Sequence, residues 1–142
     1  MRLLLDTNVI LDVLLDRAPH SEHSSRVLAA VEMGQVNGFI GAASVTTIHY
    51  LAAKQIGPQG AIEAVEKLLS LFEVASVTRS VLEDALRANF ADFEDAVLFA
   101  AAKNSEVDGI ITRDPKGFER ADIPVLSPEE LVAVLVARES DV

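Results

Sequence analysis

The chain has 142 residues, with 22 Asp and Glu against 12 Lys and Arg, a formal net charge of -10 and no cysteine. Disulfides, thiolate metal sites and a cysteine nucleophile are excluded, and a nucleic-acid substrate would need bound cations or a locally basic rim to approach so acidic a chain. The length suits one domain burying about 70% of the surface its unfolded form exposes, and a half-hydrophobic composition rich in Ala, Val and Leu suits helices packed on a sheet.

In chain order, Leu3-Leu4-Leu5 reads as a buried strand that delivers Asp6, Thr7 and Asn8 just past its carboxyl end, where open α/β sheets carry functional groups. From Asn8 to Leu15 the apolar residues Val9, Ile10, Val13 and Leu14 fall three and four apart and predict a short helix, finished before Pro19. A second helix is expected from Ser21 to Met33, with Val27, Leu28 and Val31 inward and Gly34 as its stop. Gly38 to Gly41 reads as a strand. Ser44 to Gln55 reads as a helix, and Gly57-Pro58 separates it from another over Gln59 to Phe72.

Val74 to Val77 returns to strand character. Ser80 with Glu83 three residues on has the capping-box pattern of a helix start. Asp92-Phe93-Glu94-Asp95 opens the next helix, whose continuation from Ala96 to Ala102 is almost wholly apolar and should be buried. Val107 to Thr112 predicts a core strand, Arg113-Asp114-Pro115 a turn, and Ile123 to Leu126 a last strand. Ser127-Pro128-Glu129-Glu130 combines a cap, a proline at the first helical position and acids in the first turn, so a helix runs to about Ala137 and residues 138–142 form a frayed tail.

Short strands separated by helices, without hairpin signals, predict a parallel sheet covered on both faces. Residues 1–142 read as one domain, without repeat or linker. No apolar run approaches the roughly 18 residues of a membrane span, and the acid at Asp6 comes too early for a signal peptide, so a soluble protein of the cytoplasm is expected.

Parallel strands present their carboxyl ends on one side, so Asp6 and Asp114 should converge there, and a helix starting at the same rim would add Asp95. Grouped carboxylates that stay ionised imply a bound cation, and oxygen ligands without Cys or paired His select Mg²⁺ or Mn²⁺. Each acid also has a plainer reading. Asp6 and Asp92 could be N-caps, Asp95 could serve the helix dipole and Asp114 could be a turn acid.

Asn8 is either a cap or a brace for Asp6, and Thr112 lies at the same rim. His20, His23 and His49 read as surface or packing residues. Arg17, Lys54, Arg113, Lys116 and Arg120 form either a phosphate-attracting rim or scattered surface charge. A Gly-rich phosphate loop, a GxSxG elbow and a dinucleotide fingerprint are all missing. A dehalogenase-like nucleophile at Asp6 would need an acid two residues on, where Asn8 stands.

The stretches Leu4-Leu5-Asp6-Thr7-Asn8-Val9, Asp92-Phe93-Glu94-Asp95-Ala96 and Ile111-Thr112-Arg113-Asp114-Pro115-Lys116-Gly117-Phe118 resemble, in order, the motifs of a PIN domain, and the resemblance runs on to the segment Pro124 to Leu131. It implies a three-layer α/β/α sandwich and an Mg²⁺- or Mn²⁺-dependent endoribonuclease, in small bacterial members the VapC-like toxin of a toxin-antitoxin pair. Asp6 and Asp95 would be the metal ligands, joined in catalysis by Asp92 and Asp114, with Asn8 and Thr112 supporting and Arg113 and Lys116 binding substrate.

An antitoxin and a homodimer partner are further implications. Two departures stand out. Thr47 holds the place of a Glu common in the family, and Gly117 the place of an acid before Phe118. They support an alternative, a catalytically impaired PIN-like module that binds RNA or a protein.

Overall fold

Three consecutive leucines build the middle of the fold. In the computed structural model, which describes residues 1–140, they lie in strand β1 (Arg2–Leu5). Side chains alternate along a strand, so Leu3 and Leu5 face one side of the sheet and Leu4 the other. All three are buried because both sides are covered.

Among the described residues the sheet has five strands: β1, β2 (Asn37–Gly41), β3 (Glu73–Ala75), β4 (Gly109–Ile111) and β5 (Val125–Leu126). The order is β3-β2-β1-β4-β5, and every pair is parallel. Leu4 stands opposite Phe39 on one neighbour and Ile110 on the other.

On one face Leu3, Leu5, Ile40 and Ile111 pack with α1 (Thr7–Leu14), α2 (Ser21–Glu32), α3 (Ala42–Leu71) and α6 (Pro128–Ser140), through Ile10, Val27, Ile48 and Leu131. On the other face Leu4, Phe39, Ala75 and Ile110 pack with α4 (Arg79–Arg87) and α5 (Phe93–Asn104) through Val81, Ala85 and the run Ala96–Ala102. This is the expected α/β/α sandwich. Each fully buried Leu or Ile contributes about 1.5–3 kcal/mol relative to an exposed one.

Local chemistry moved several boundaries. The α4 cap is Thr78, whose Oγ1 accepts the Val81 N–H at 3.3 Å, so the Ser80 capping box does not form. Pro124 has no N–H to continue a ladder, and β5 is only two residues long. At the start of β4 the Val107 amide closes the end of α5 on the Ala102 carbonyl, which leaves three strand residues where six were expected.

The α3 run is continuous except at Gly57, whose φ of 83° makes the predicted break an elbow before Pro58. A short 3₁₀ turn, Pro115–Phe118, was not anticipated. The Ser127 capping box does form, with Ser127 N–H on Glu130 Oε1 at 3.0 Å and Glu130 N–H on Ser127 Oγ at 3.1 Å. Helix α6 runs to Ser140, so residues 138–140 are helical and not frayed; the rest of the expected tail lies outside the described residues. No helix among those described is long and apolar enough to cross a membrane.

Candidate functional site

The strand order reverses around β1, which has β2 on one side and β4 on the other. In open parallel sheets a crevice forms beyond the carboxyl ends at such a point. Here it is a cleft of about 570 Å³, lined by Asp6 after β1, Ser44 and Thr47 in the first turns of α3, Glu94 and Asp95 at the start of α5, and Asp114 after β4.

Asp6 caps a helix with one oxygen and is held by neighbouring side chains through the other. Its Oδ1 caps α1 by accepting the Thr7 N–H at 2.7 Å, while Oδ2 accepts the Thr112 hydroxyl at 2.8 Å and the Asn8 amide at 3.4 Å. Burial pushes its pKa up, and the bonds from Thr112 and Thr7 pull it part of the way back. Thr112 is fully buried. A hydroxyl has one proton to give, and with that proton on Asp6 its oxygen accepts the Asp114 N–H at 3.0 Å and the Asn8 amide at 3.4 Å. Asn8 in turn accepts the Arg113 N–H at 3.2 Å.

Asp95 is the most perturbed acid of the cleft. Its pKa is pushed up to about 6, first by burial and then by the carboxylates of Asp6, Asp92, Asp114 and Glu94. Asp92 is an N-cap that does not line the cleft: its Oδ1 accepts the Asp95 N–H at 3.1 Å, and it reaches the site only through its charge. Gly117 explains where the Asp95 carboxylate rests. A Cβ on Gly117 would lie 2.5 Å from Asp95 Oδ2, so the space a side chain would take at this position is filled by Asp95 itself.

Of the two readings of the five basic residues, the single rim does not assemble. Arg113 is turned onto Asp12, with Nε at 2.6 Å and Nη2 at 3.2 Å from its carboxylate, and Arg17 joins the same group at 2.9 Å. Both arginines line the cleft, but their charge is matched by a fully buried acid. Lys116 is exposed and does not line the cleft, Lys54 lies over the Tyr50 ring, and Arg120 is beside Ala88 and Glu119 elsewhere. The three histidines stay away from the cleft.

Asp12 was missed by sequence reasoning. The signal was present as an acid four residues after Asn8 on an apolar helix, with Arg17 five residues on.

Among the described residues no three His, Asp or Glu side chains are gathered tightly enough to hold an ion by themselves. Mg²⁺ does not require that. It dehydrates reluctantly and is usually bound through one or two carboxylates with water filling the rest of its shell. Asp6 and Asp95 fit that sparse donor set, and the mutual repulsion that raises Asp95 is what a cation between them would relieve.

Carboxylates converging at the switch point of a parallel α/β/α sandwich define an acid-cleft domain. Within that class the PIN domain model matches residues 2–116, and the chain belongs to that family. No curated protein matches. Among solved structures, FitAcB from Neisseria gonorrhoeae is similar at 24% identity and a TM-score of 0.69, covering 89% of this chain and 98% of its own. A toxin-antitoxin complex from Klebsiella pneumoniae is similar at 24% identity and a TM-score of 0.66, covering 88% and 96%. VapC20 from Mycobacterium tuberculosis, a sarcin-ricin loop cleaving toxin, is 15% identical with a TM-score of 0.65, covering 81% and 92%. At these identities the likeness concerns the fold.

Proposed function

We propose that this chain is an Mg²⁺- or Mn²⁺-dependent endoribonuclease acting in the cytoplasm as the toxin of a toxin-antitoxin pair. The observation that carries the reading is the approach of Asp6, from the end of β1, and Asp95, from the start of α5, across one cleft, with Asp114 beside them. Family membership and the toxins and toxin-antitoxin complexes among similar folds support it. A protein partner that covers the cleft and a second copy of the chain belong to the same reading.

Asp6 and Asp95 would hold the ion. When bound, it supplies Lewis acidity and local charge neutralisation for hydrolysis of a phosphodiester. Thr112 and Asn8 hold the Asp6 carboxylate in one orientation, and Asp114 adds negative charge at the β4 side. Ser44 lines the cleft without a histidine, so a serine nucleophile has no base there.

Asp6→Asn should lower metal-dependent RNA cleavage by more than the roughly 10–100-fold typical of losing a supporting residue, and Mn²⁺ should raise the melting temperature of the parent but not of the variant. Cleavage by Asp6→Asn at the parental rate ends the proposal. A second reading, a binding module without catalysis, draws on Thr47 and on the lack of a tight three-acid cluster among the described residues. Full RNA binding without Mn²⁺ stabilisation or cleavage would select it.

A further inference from the structure

Part of the cleft lining is apolar. It is made by Val77 after β3, Leu82 on α4, and Phe93 and Val97 on α5. Phe93 and Val97 are four residues apart and share a face of α5. The other aromatics on this side are used internally: Phe90 stacks on Phe99 at 5.1 Å and meets Phe118 edge-on at 6.1 Å. Phe93 is not part of that cluster and is 50% exposed, and Leu82, which lines the same cleft, is 40% exposed. A pair of metal-binding acids needs no such wall, and the volume of the cleft is in the range of sites for organic ligands.

Charge narrows what the wall can receive. Asp92 and Glu94 flank Phe93 in sequence, so a phosphate is repelled there. Within a nucleotide the base is the uncharged part, and its flat face stacks on aromatic rings in a way that tolerates any sequence. We propose that the apolar wall seats an unpaired nucleobase, with Phe93 as the stacking platform, when the same strand places a phosphate on the Asp6 and Asp95 side. This rests on reading the cleft as one for RNA. Bases inside a duplex have both faces covered, so the wall selects single strands, loops or flipped-out nucleotides.

The chain has no tryptophan, so Phe93→Trp installs a single reporter at a half-exposed position. We would titrate it with a short single-stranded RNA, with an abasic strand of equal length and charge, and with a duplex. Ca²⁺ replaces Mg²⁺, because its longer bonds to oxygen favour binding over turnover. The single strand should quench the Trp emission and bind about 5- to 150-fold more tightly than the abasic strand. In an anisotropy assay with labelled RNA, Phe93→Ala should lose a similar factor while Phe93→Tyr keeps it.

Equal affinity for the abasic strand, parental binding by Phe93→Ala, or a Trp response to apolar peptides but not to RNA overturns the proposal. Base-dependent binding by a protein that never cleaves RNA would support this inference and remove the nuclease reading. Metal-dependent cleavage indifferent to Phe93 and to abasic sites would do the reverse.

Discussion

Thr112 donates its buried hydroxyl to Asp6 Oδ2 at 2.8 Å, joining residues 106 apart in sequence. Thr112→Val keeps the shape and removes the bond. The variant should lose about 1–2 kcal/mol of stability, because Asp6 loses a donor and the Asp114 N–H an acceptor. Mn²⁺ affinity should fall by about 10-fold or more as Asp6 loosens. Urea unfolding and Mn²⁺ titration measure the two effects, and an unchanged Mn²⁺ affinity would show that the bond does not orient Asp6.

Asp12 ties the cleft arginines to the core. Asp12→Asn leaves Arg113 and Arg17 without a countercharge, and we expect a loss of about 2–3 kcal/mol, below the full cost of a broken buried pair because both guanidinium groups are partly exposed. A urea midpoint equal to the parent's would argue against a structural role for this carboxylate.

Acidity sets a sign that can be checked. An Asp95 that ionises near 3.8 when unfolded keeps its proton to about 6 when folded. Between those values the folded state binds more protons, so its stability falls as pH rises from about 4 to about 6, and Asp6, also raised by burial, acts in the same direction. A divalent ion competes with that proton, so Mn²⁺ stabilisation should grow as pH rises through about 6. Melting curves with and without Mn²⁺ test this; a gap that stays flat across that range contradicts it. Asp92→Asn, which keeps an N-cap but removes a charge, should lower the Asp95 pKa in a carboxyl ¹³C titration.

Gly117 makes room for a neighbour. Gly117→Ala should displace the Asp95 carboxylate and weaken Mn²⁺ binding by about 10-fold or more, and Gly117→Asp should do worse although it restores the family pattern. Tighter Mn²⁺ binding by Gly117→Asp would show that the position lacks a ligand.

The sheet was legible because Leu3 to Leu5, Gly38 to Gly41 and Val107 to Thr112 are apolar runs with the right spacing, and Asp92 and Ser127 are caps that behave as their neighbours suggest. Asp6 was legible as a helix cap, the role of its Oδ1, while Oδ2 takes the hydroxyl of Thr112, a partner that spacing could not show. The ion pairing of Arg113 was not legible, because its partner is 101 residues away on a helix whose packing decides where Asp12 points. Nor could spacing show that Asp95 fills the room at Gly117. That contact joins two elements which meet only through the fold.

The central place of β1 also orders events in time. Its partner β2 follows within 40 residues, but β4 and Thr112 come more than 100 residues after Asp6. Because domains form as units while the chain leaves the ribosome, amino end first, a nascent chain stopped before residue 112 holds Asp6 and Asp95 in sequence but lacks the hydroxyl that sets Asp6. The orientation of Asp6 therefore waits on residues made more than 100 positions after it.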